Sequence, residues 1–184
     1  MEKLLTLGKN DKTKNTIVIM AELQRRFLEL RRHPETMMVY YPGDTISSGP
    51  IYSRGYICCN AVALLGGNTA GLTHYDLKIE PEIYLNEIIN RMERQEQFPS
   101  CAVVVGGDET HFERNLRILE NRRISVVNGF SDCWNEVPLV TKEIFESLRI
   151  KRNKNRFTLK EVLVVPETKE VLVHRSNLDY MKLN

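Results

Sequence analysis

The chain has 184 residues, of which 42% are apolar and 27% charged, and its formal net charge is +2. This length suits one domain, and the apolar fraction supplies a core and excludes wholesale disorder. Acidic and basic residues are too evenly balanced for nucleic acid or an anionic membrane to be the main partner. No apolar run approaches the roughly 18 residues of a membrane span, so no membrane insertion is expected.

The cysteines and the first residues bear on the cellular compartment. Two of the four cysteines are adjacent, and none has Cys-x-x-Cys spacing: Cys58, Cys59, Cys101 and Cys133. This usage indicates reduced thiols rather than a disulfide framework. The polar first 14 residues contain no apolar segment typical of a cleaved signal. We therefore expect a cytoplasmic protein, with export by a route that needs no cleaved signal left open.

The N-terminal third predicts one helix and one strand. Apolar side chains recur at three- and four-residue spacing, which predicts an amphipathic helix that ends near Pro34: Met20, Leu23, Phe27 and Leu30. Residues Met37–Tyr41 predict a strand, and Pro42-Gly43-Asp44 predicts the turn that closes it. Residues 45–55 contain Gly, Ser and Pro and predict a loop.

Two apolar segments joined by a glycine turn predict a β-hairpin. Its strands are Tyr56–Leu65 and Gly71–Leu77, and its turn is Gly66-Gly67-Asn68. The two ends of such a hairpin lie close together in space.

The rest of the chain alternates helices and strands. Pro81 suits the first position of a helix, and Thr110 and Glu113 have capping-box spacing at the start of another. Apolar segments predict further strands, the last two as a hairpin: Cys101–Val105, Ile124–Val127, Glu161–Val165 and Glu170–His174. Residues 129–160 fit this pattern poorly and are interpreted as an insertion. The mixed order predicts the α/β class in its α+β form, a layered sandwich of helices and strands around one core.

A cysteine and a histidine occupy the two strands of the predicted hairpin. Cys59 lies on the first strand and His74 on the second, so a tight turn can bring the thiol and the imidazole together. In such a pair the imidazole takes the thiol proton, and the imidazolium then stabilises the thiolate. A third group must orient the imidazole and fix its tautomer. Ser53, six residues before the cysteine, is the candidate for that role.

The spacing alone leaves a structural interpretation open. A cysteine in an apolar strand is commonly a small core residue, and a histidine beside it is commonly a hydrogen-bonded polar group. Adjacent strand residues point to opposite faces, so only one of Cys58 and Cys59 can meet His74. Asp76 shares a face with His74 and is a second candidate for orienting the ring.

Several short motifs share an order and spacing that point to a family. They are Val-Tyr-Tyr-Pro-Gly-Asp at 39–44, Cys-Asn-Ala-Val-Ala-Leu at 59–64, Gly-Leu-Thr-His at 71–74, Gly106-Gly107, Arg114-Asn115 and the closing hairpin at 162–174. Together they resemble the CheD family, the chemoreceptor glutamine deamidases of bacterial and archaeal chemotaxis. Ser53 lies where that family has a hydroxyl residue, usually Thr, six positions before the nucleophile.

The resemblance implies a mixed sheet with packed helices, a mechanism and a domain organisation. It implies that Cys59, His74 and Ser53 form the catalytic site of a protein-glutamine glutaminase that acts through a thioester and releases ammonia. No metal or organic cofactor is implied. The implied partners are a protein substrate with an exposed glutamine, either a chemoreceptor or another protein, and a regulatory protein. Residues 39–184 are expected to form the CheD-like domain with an insertion at about 129–160, and residues 1–38 an N-terminal extension that carries the extra helix.

The chain departs from the family pattern just before the nucleophile strand. Tyr56-Ile57-Cys58 stands where the family has Leu-Gly-Ser, in the backbone that helps to form the oxyanion hole. The alternative function is therefore a catalytically inactive CheD-like module that binds or regulates a protein. The basic residues between 149 and 160 are interpreted first as a solvated loop and second as a substrate-docking segment, since no nucleic-acid motif accompanies them.

The remaining histidines are expected outside the site. His111 is predicted to be an exposed first-turn residue of a helix, and His33 and His174 are predicted to lie at the surface. Four scattered histidines without paired ligand spacing argue against a zinc site.

Overall fold

A computed structural model of the chain describes residues 21–56, 59–130, 159–175 and 180–182. These residues contain helix α1 over 21–31, helix α2 over Pro81–Arg94 and helix α3 over Glu109–Asn121. Over the residues described, none of these helices is long and apolar enough to cross a membrane. The strands are β1 (Met37–Val39), β2 (Gly43–Ser47), β3 (Ile51–Arg54), β4 (Cys59–Gly66), β5 (Thr69–Asp76), β6 (Cys101–Gly106), β7 (Ser125–Phe130), β8 (Leu159–Val165), β9 (Glu170–Arg175) and β10 (Tyr180–Lys182).

The described strands form two five-stranded sheets. The first sheet has the order β1-β3-β8-β9-β10, and the second has the order β2-β5-β4-β6-β7. Both sheets are mixed, because β1 pairs with β3 and β6 pairs with β7 in parallel while the other neighbours are antiparallel. Each sheet therefore joins segments that are distant in the sequence.

Among the described residues, three clusters of buried apolar side chains show how the layers stack. The cluster between the sheets includes Val162 and Val164 of the first sheet and Ala61 and Leu72 of the second. Phe27 of α1 packs on the outer face of the first sheet, and α2 and α3 cover the outer face of the second. The fold is an α+β sandwich of four layers, which confirms the predicted fold class.

Side-chain alternation along the strands accounts for this stacking. In β8, Val162 and Val164 belong to the cluster between the sheets, whereas Leu163 and Val165 belong to the cluster under α1. Every residue of β4 is buried, because one face meets the first sheet and the other meets the helices. This central strand carries Cys59.

The segment between Pro42 and Gly55 differs from the sequence prediction of a turn and a loop. It contains β2 and β3 instead. β2 is an edge strand that pairs with β5. Most of its residues are polar, so its sequence lacks the apolar alternation that predicts a strand. β3 has only four residues, and its first three are all buried. Its sequence therefore does not alternate between apolar and polar residues either.

Helix α3 begins earlier than the capping-box spacing predicts. Asp108 is the N-cap, and its Oδ1 accepts a hydrogen bond from the backbone N–H of His111 at 2.8 Å. The prediction that His111 is exposed is wrong, since the residue is 8% exposed. Its ring Nδ1 lies 2.9 Å from the same carboxylate oxygen, which holds the imidazole against the helix start.

The predicted N-terminal extension is attached to the first sheet by charge as well as by apolar packing. Arg31 Nη1 of α1 lies 2.9 Å from Glu161 Oε1 of β8, and Arg26 pairs with Glu170 of β9. The predicted boundary between residues 38 and 39 falls inside β1. Residues 1–20 and most of the predicted insertion, residues 131–158, lie outside the described part of the chain, so the domain boundaries stay predictions.

Candidate active site

Ser53 and His74 meet across the two sheets. Ser53 lies on β3 of the first sheet and His74 on β5 of the second, and Ser53 Oγ is 2.9 Å from His74 Nδ1. The same hydroxyl donates its hydrogen to the carbonyl oxygen of Val39 at 2.8 Å. Since that hydrogen is used, Ser53 Oγ must accept from Nδ1–H, and the proton-accepting lone pair of the neutral ring lies on Nε2.

The second ring nitrogen of His74 is available for proton transfer. His74 is 1% exposed, and its Nε2 has no hydrogen-bond partner among the residues that the structure describes. A buried polar atom without a partner is uncommon and costly in a folded protein. His111 shares this arrangement, with Nδ1 bonded to Asp108 and Nε2 buried, but only His74 lies on the face of the sheet that carries Cys59. An open Nε2 on an oriented ring can act as a general base.

Cys59 lies on the same face of the second sheet as His74. The register of the β4–β5 pair sets Cys59 opposite Asp76, and His74 is two residues from Asp76 along β5. Cys59 belongs to the cluster between the sheets and is 6% exposed. Its carbonyl oxygen accepts a hydrogen bond from Gly107 N–H at 3.0 Å, which ties the start of β4 to the loop after β6.

Two tyrosine rings enclose the imidazole. The ring of Tyr56 stacks on that of His74 with 3.9 Å between centroids and 21° between planes. Tyr41 lies on another side, with its centroid 5.6 Å away and its ring tilted by 59°. Neither contact follows from the spacing of the motifs. The sequence offered one signal for the Tyr56 contact, since Tyr56 stands where the CheD family pattern has a smaller leucine.

Burial sets the charge of His74. Removal from water lowers the pKa of His74 to about 4, so the ring is uncharged near neutral pH. The sequence-based expectation of an imidazolium that keeps Cys59 ionised therefore requires correction. A neutral ring can accept a proton at Nε2, which a charged ring cannot.

The carboxylate of Asp76 bonds to groups other than the imidazole, so Asp76 is not the residue that orients His74. Its Oδ2 accepts a hydrogen bond from Tyr41 Oη at 2.6 Å, and its Oδ1 accepts one from Lys78 N–H at 2.9 Å. These bonds, that of Tyr41 first, lower the pKa of Asp76, so the carboxylate is ionised. The hydrogen bond to Asp76, burial, and then the charges of Asp76 and Cys59 raise the pKa of Tyr41. The Tyr41 hydroxyl therefore interacts electrostatically with both Asp76 and Cys59.

A second polar network, missed from the sequence, lies on the opposite face of β4. Asn60 follows Cys59 and points toward the helices, where its Oδ1 is 2.8 Å from Tyr84 Oη. The same hydroxyl is 3.2 Å from Asn115 Oδ1 of α3, and the Tyr84 ring stacks on Tyr75. All of Asn60, Tyr84 and Asn115 are buried. This network fixes the strand that carries the cysteine from the side away from the imidazole.

The other histidines lie apart from the Ser53–His74 pair. His111 bonds to Asp108 at the start of α3, and His33 is exposed. His174 is only partly buried, and its Nδ1 lies 2.7 Å from Glu161 Oε2 on the first sheet. Within the described ranges, no three His, Cys, Asp or Glu side chains come together as a metal site would require. Cys58 and Cys133 lie outside those ranges.

Comparisons with known proteins do not assign a family. No protein-family model matches the chain, and no curated protein matches it. The resemblance to the CheD family therefore depends on the order and spacing of the motifs given above.

Proposed function

We propose that this chain is a cysteine-dependent amide hydrolase that converts glutamine side chains of proteins to glutamate. The observation that supports this best is the state of His74: Nδ1 is bonded to Ser53, and Nε2 is buried and unpartnered among the described residues. Cys59, the candidate nucleophile, shares that face of the sheet. Cytoplasmic location and a protein substrate complete the proposal.

The first half of the reaction forms a thioester. The Cys59 thiol gives its proton to His74 Nε2 as the sulfur attacks the carboxamide carbon of the substrate glutamine. The carbonyl oxygen becomes an oxyanion, and a backbone N–H placed to bind it would stabilise the transition state by roughly 3–4 kcal/mol. The imidazolium then gives its proton to the amide nitrogen, the carbon–nitrogen bond breaks, and ammonia leaves.

The second half of the reaction restores the thiol. His74, neutral again, takes a proton from water while the water oxygen attacks the thioester carbon. The carbon–sulfur bond breaks, the sulfur recovers the proton from the imidazolium, and glutamate remains in the substrate. Throughout both halves Ser53 keeps the ring in one tautomer, because its oxygen accepts from Nδ1–H in the neutral and the charged form alike.

One observation favours the alternative, a catalytically inactive module that binds or regulates a protein. Cys59 is only 6% exposed, and Tyr41 lies beside the site with its hydroxyl bound to Asp76. A substrate carboxamide must therefore enter past a tyrosine ring. The inactive alternative predicts that no protein substrate shows loss of amide groups that depends on Cys59.

The test compares Cys59→Ser with the matched variant Cys101→Ser. Candidate protein substrates are incubated with each chain, ammonia is measured, and glutamine-to-glutamate conversion is mapped by mass spectrometry. We expect wild type and Cys101→Ser to release ammonia, and Cys59→Ser to release none while its circular dichroism spectrum is unchanged. Equal activity of Cys59→Ser and wild type would overturn the proposal, as would the absence of conversion with all three chains.

A further inference from the structure

A carboxylate faces the candidate nucleophile across the β4–β5 ladder. Asp76 is the register partner of Cys59, and directly opposed residues of an antiparallel pair have Cβ atoms about 5 Å apart. Asp76 is partly exposed, and Tyr41 and Lys78 hold both of its oxygens in place. The carboxylate of Asp76 takes part in no step of the hydrolysis described above, and Ser53 already orients the imidazole.

We propose that Asp76 is the specificity-determining residue of this site, which admits an uncharged carboxamide and disfavours a carboxylate. This inference rests on the proposed function and concerns the same cysteine. A primary carboxamide carries an NH2 group with two donor hydrogens, whereas a carboxylate only accepts. An ionised Asp76 beside the sulfur can therefore accept a hydrogen bond from glutamine but repels glutamate.

The contacts of Asp76 leave room for this hydrogen bond. An ionised carboxylate has about four lone-pair positions on its two oxygens, and the two bonds from Tyr41 and Lys78 occupy one on each oxygen. The substrate NH2 can therefore donate to Asp76 without displacing Tyr41. The same charge lowers the affinity for the reaction product, because hydrolysis converts a neutral side chain into an anion next to another anion. Release of the glutamate product is favoured as a result.

Two alkylating reagents that differ in charge test whether the surroundings of the Cys59 sulfur favour a neutral group over an anion. Iodoacetamide carries the primary carboxamide of glutamine, and iodoacetate carries the carboxylate of glutamate. Both place the same carbon on the Cys59 sulfur with loss of iodide. The ratio of their rate constants cancels any change in the fraction of thiolate, so a variant that changes only the reactivity of the thiol leaves the ratio unchanged.

The experiment measures this ratio at Cys59 by mass spectrometry in the wild type, Asp76→Asn and Glu113→Gln. Asparagine keeps the shape of the side chain without its charge, and Glu113 is an exposed residue of α3 that serves as the control. We expect the ratio of iodoacetamide to iodoacetate rates to fall by at least about fivefold in Asp76→Asn and to stay at the wild-type value in Glu113→Gln. The ratio at Cys101 should not change in any of them.

The outcomes distinguish this inference from the proposed function. An unchanged ratio in Asp76→Asn overturns the role of Asp76 even if ammonia release persists. A lowered ratio, with product inhibition by the glutamate form of the substrate stronger in Asp76→Asn than in the wild type, supports it. If the ratio falls but no chain converts protein glutamine, the charge selectivity at Cys59 stands and the proposed reaction alone is overturned.

Discussion

At the scale of single residues, one hydroxyl decides what the candidate base can do. Ser53 uses its hydrogen on Val39, so it can only accept from His74 Nδ1. That assignment leaves Nε2 as the lone-pair nitrogen on the face shared with Cys59. The stacked ring of Tyr56 limits rotation of the imidazole, so tautomer and orientation are both fixed before a substrate binds.

Replacement of Ser53 by alanine is expected to weaken the base without removing it. A positioned general base contributes roughly a hundredfold to ten-thousandfold, and a mixed tautomer loses part of that, so we expect kcat for ammonia release to fall about tenfold to a hundredfold. Nitrogen NMR shifts of His74 report the tautomer directly. Ser53→Thr keeps the hydroxyl and should keep one tautomer. Ser100→Ala is the control, because Ser100 is exposed and bonds to Leu65 at the end of β4 away from Cys59. A single Nδ1–H tautomer in Ser53→Ala would contradict this assignment.

At the scale of elements, α1 belongs to the sandwich through its packing on the first sheet. Phe27 is fully buried there and packs in one cluster with Tyr52 and Leu163. Tyr52 and Ser53 are neighbours on β3, with Tyr52 facing α1 and Ser53 facing His74. Helix α1 therefore packs against the strand that carries Ser53, whose hydroxyl orients His74.

Truncation of Phe27 tests this support. Replacement of a buried phenylalanine by alanine costs about 3–5 kcal/mol, so we expect Phe27→Ala to lower the free energy of unfolding by that amount. Urea denaturation followed by circular dichroism measures it. Ile83→Ala on α2 is the control, because Ile83 is 66% exposed and its loss should cost at most about 0.5 kcal/mol. Equal stability of the two variants would show that α1 does not pack on the sheet.

At the scale of the whole molecule, the candidate site depends on both sheets. Ser53 comes from the first and His74 and Cys59 from the second, and the cluster of apolar residues between the sheets sets their separation. Burial of the site inside this interface is also what keeps His74 uncharged. The stability of the fold and the protonation of His74 are therefore linked.

This linkage predicts how stability depends on pH. The pKa of His74 is about 4 in the folded chain and 6.5 when unperturbed, so between these values the unfolded chain binds more protons. The free energy of unfolding should therefore rise with pH from about 4 to 6.5, and the contribution of His74 is complete above 6.5. Urea titrations across this range should show a smaller rise for His74→Gln than for the wild type. Parallel curves for the two chains would contradict a buried, neutral His74.

The sequence by itself determined the elements with strong local patterns. The apolar stripe around Phe27, the proline at the start of α2 and the hairpin around Gly67 each carry their signal within a few residues. Cys59 and His74 were candidates because a hairpin brings its own strands together, and Ser53 was a candidate because it lies six residues before Cys59. Strands β2 and β3 were missed, since pairing with distant partners, rather than local periodicity, forms them.

Only the tertiary structure decided the chemistry at those residues. The serine–histidine bond joins two sheets, Tyr56 covers the ring, and Asp76, the register partner of Cys59, bonds to Tyr41 rather than to the imidazole. Of these relations, only the orienting of His74 by Ser53 was predicted from the sequence. They arise because packing two sheets face to face removes water from the gap, and the charge and tautomer of a buried group depend on everything that then surrounds it.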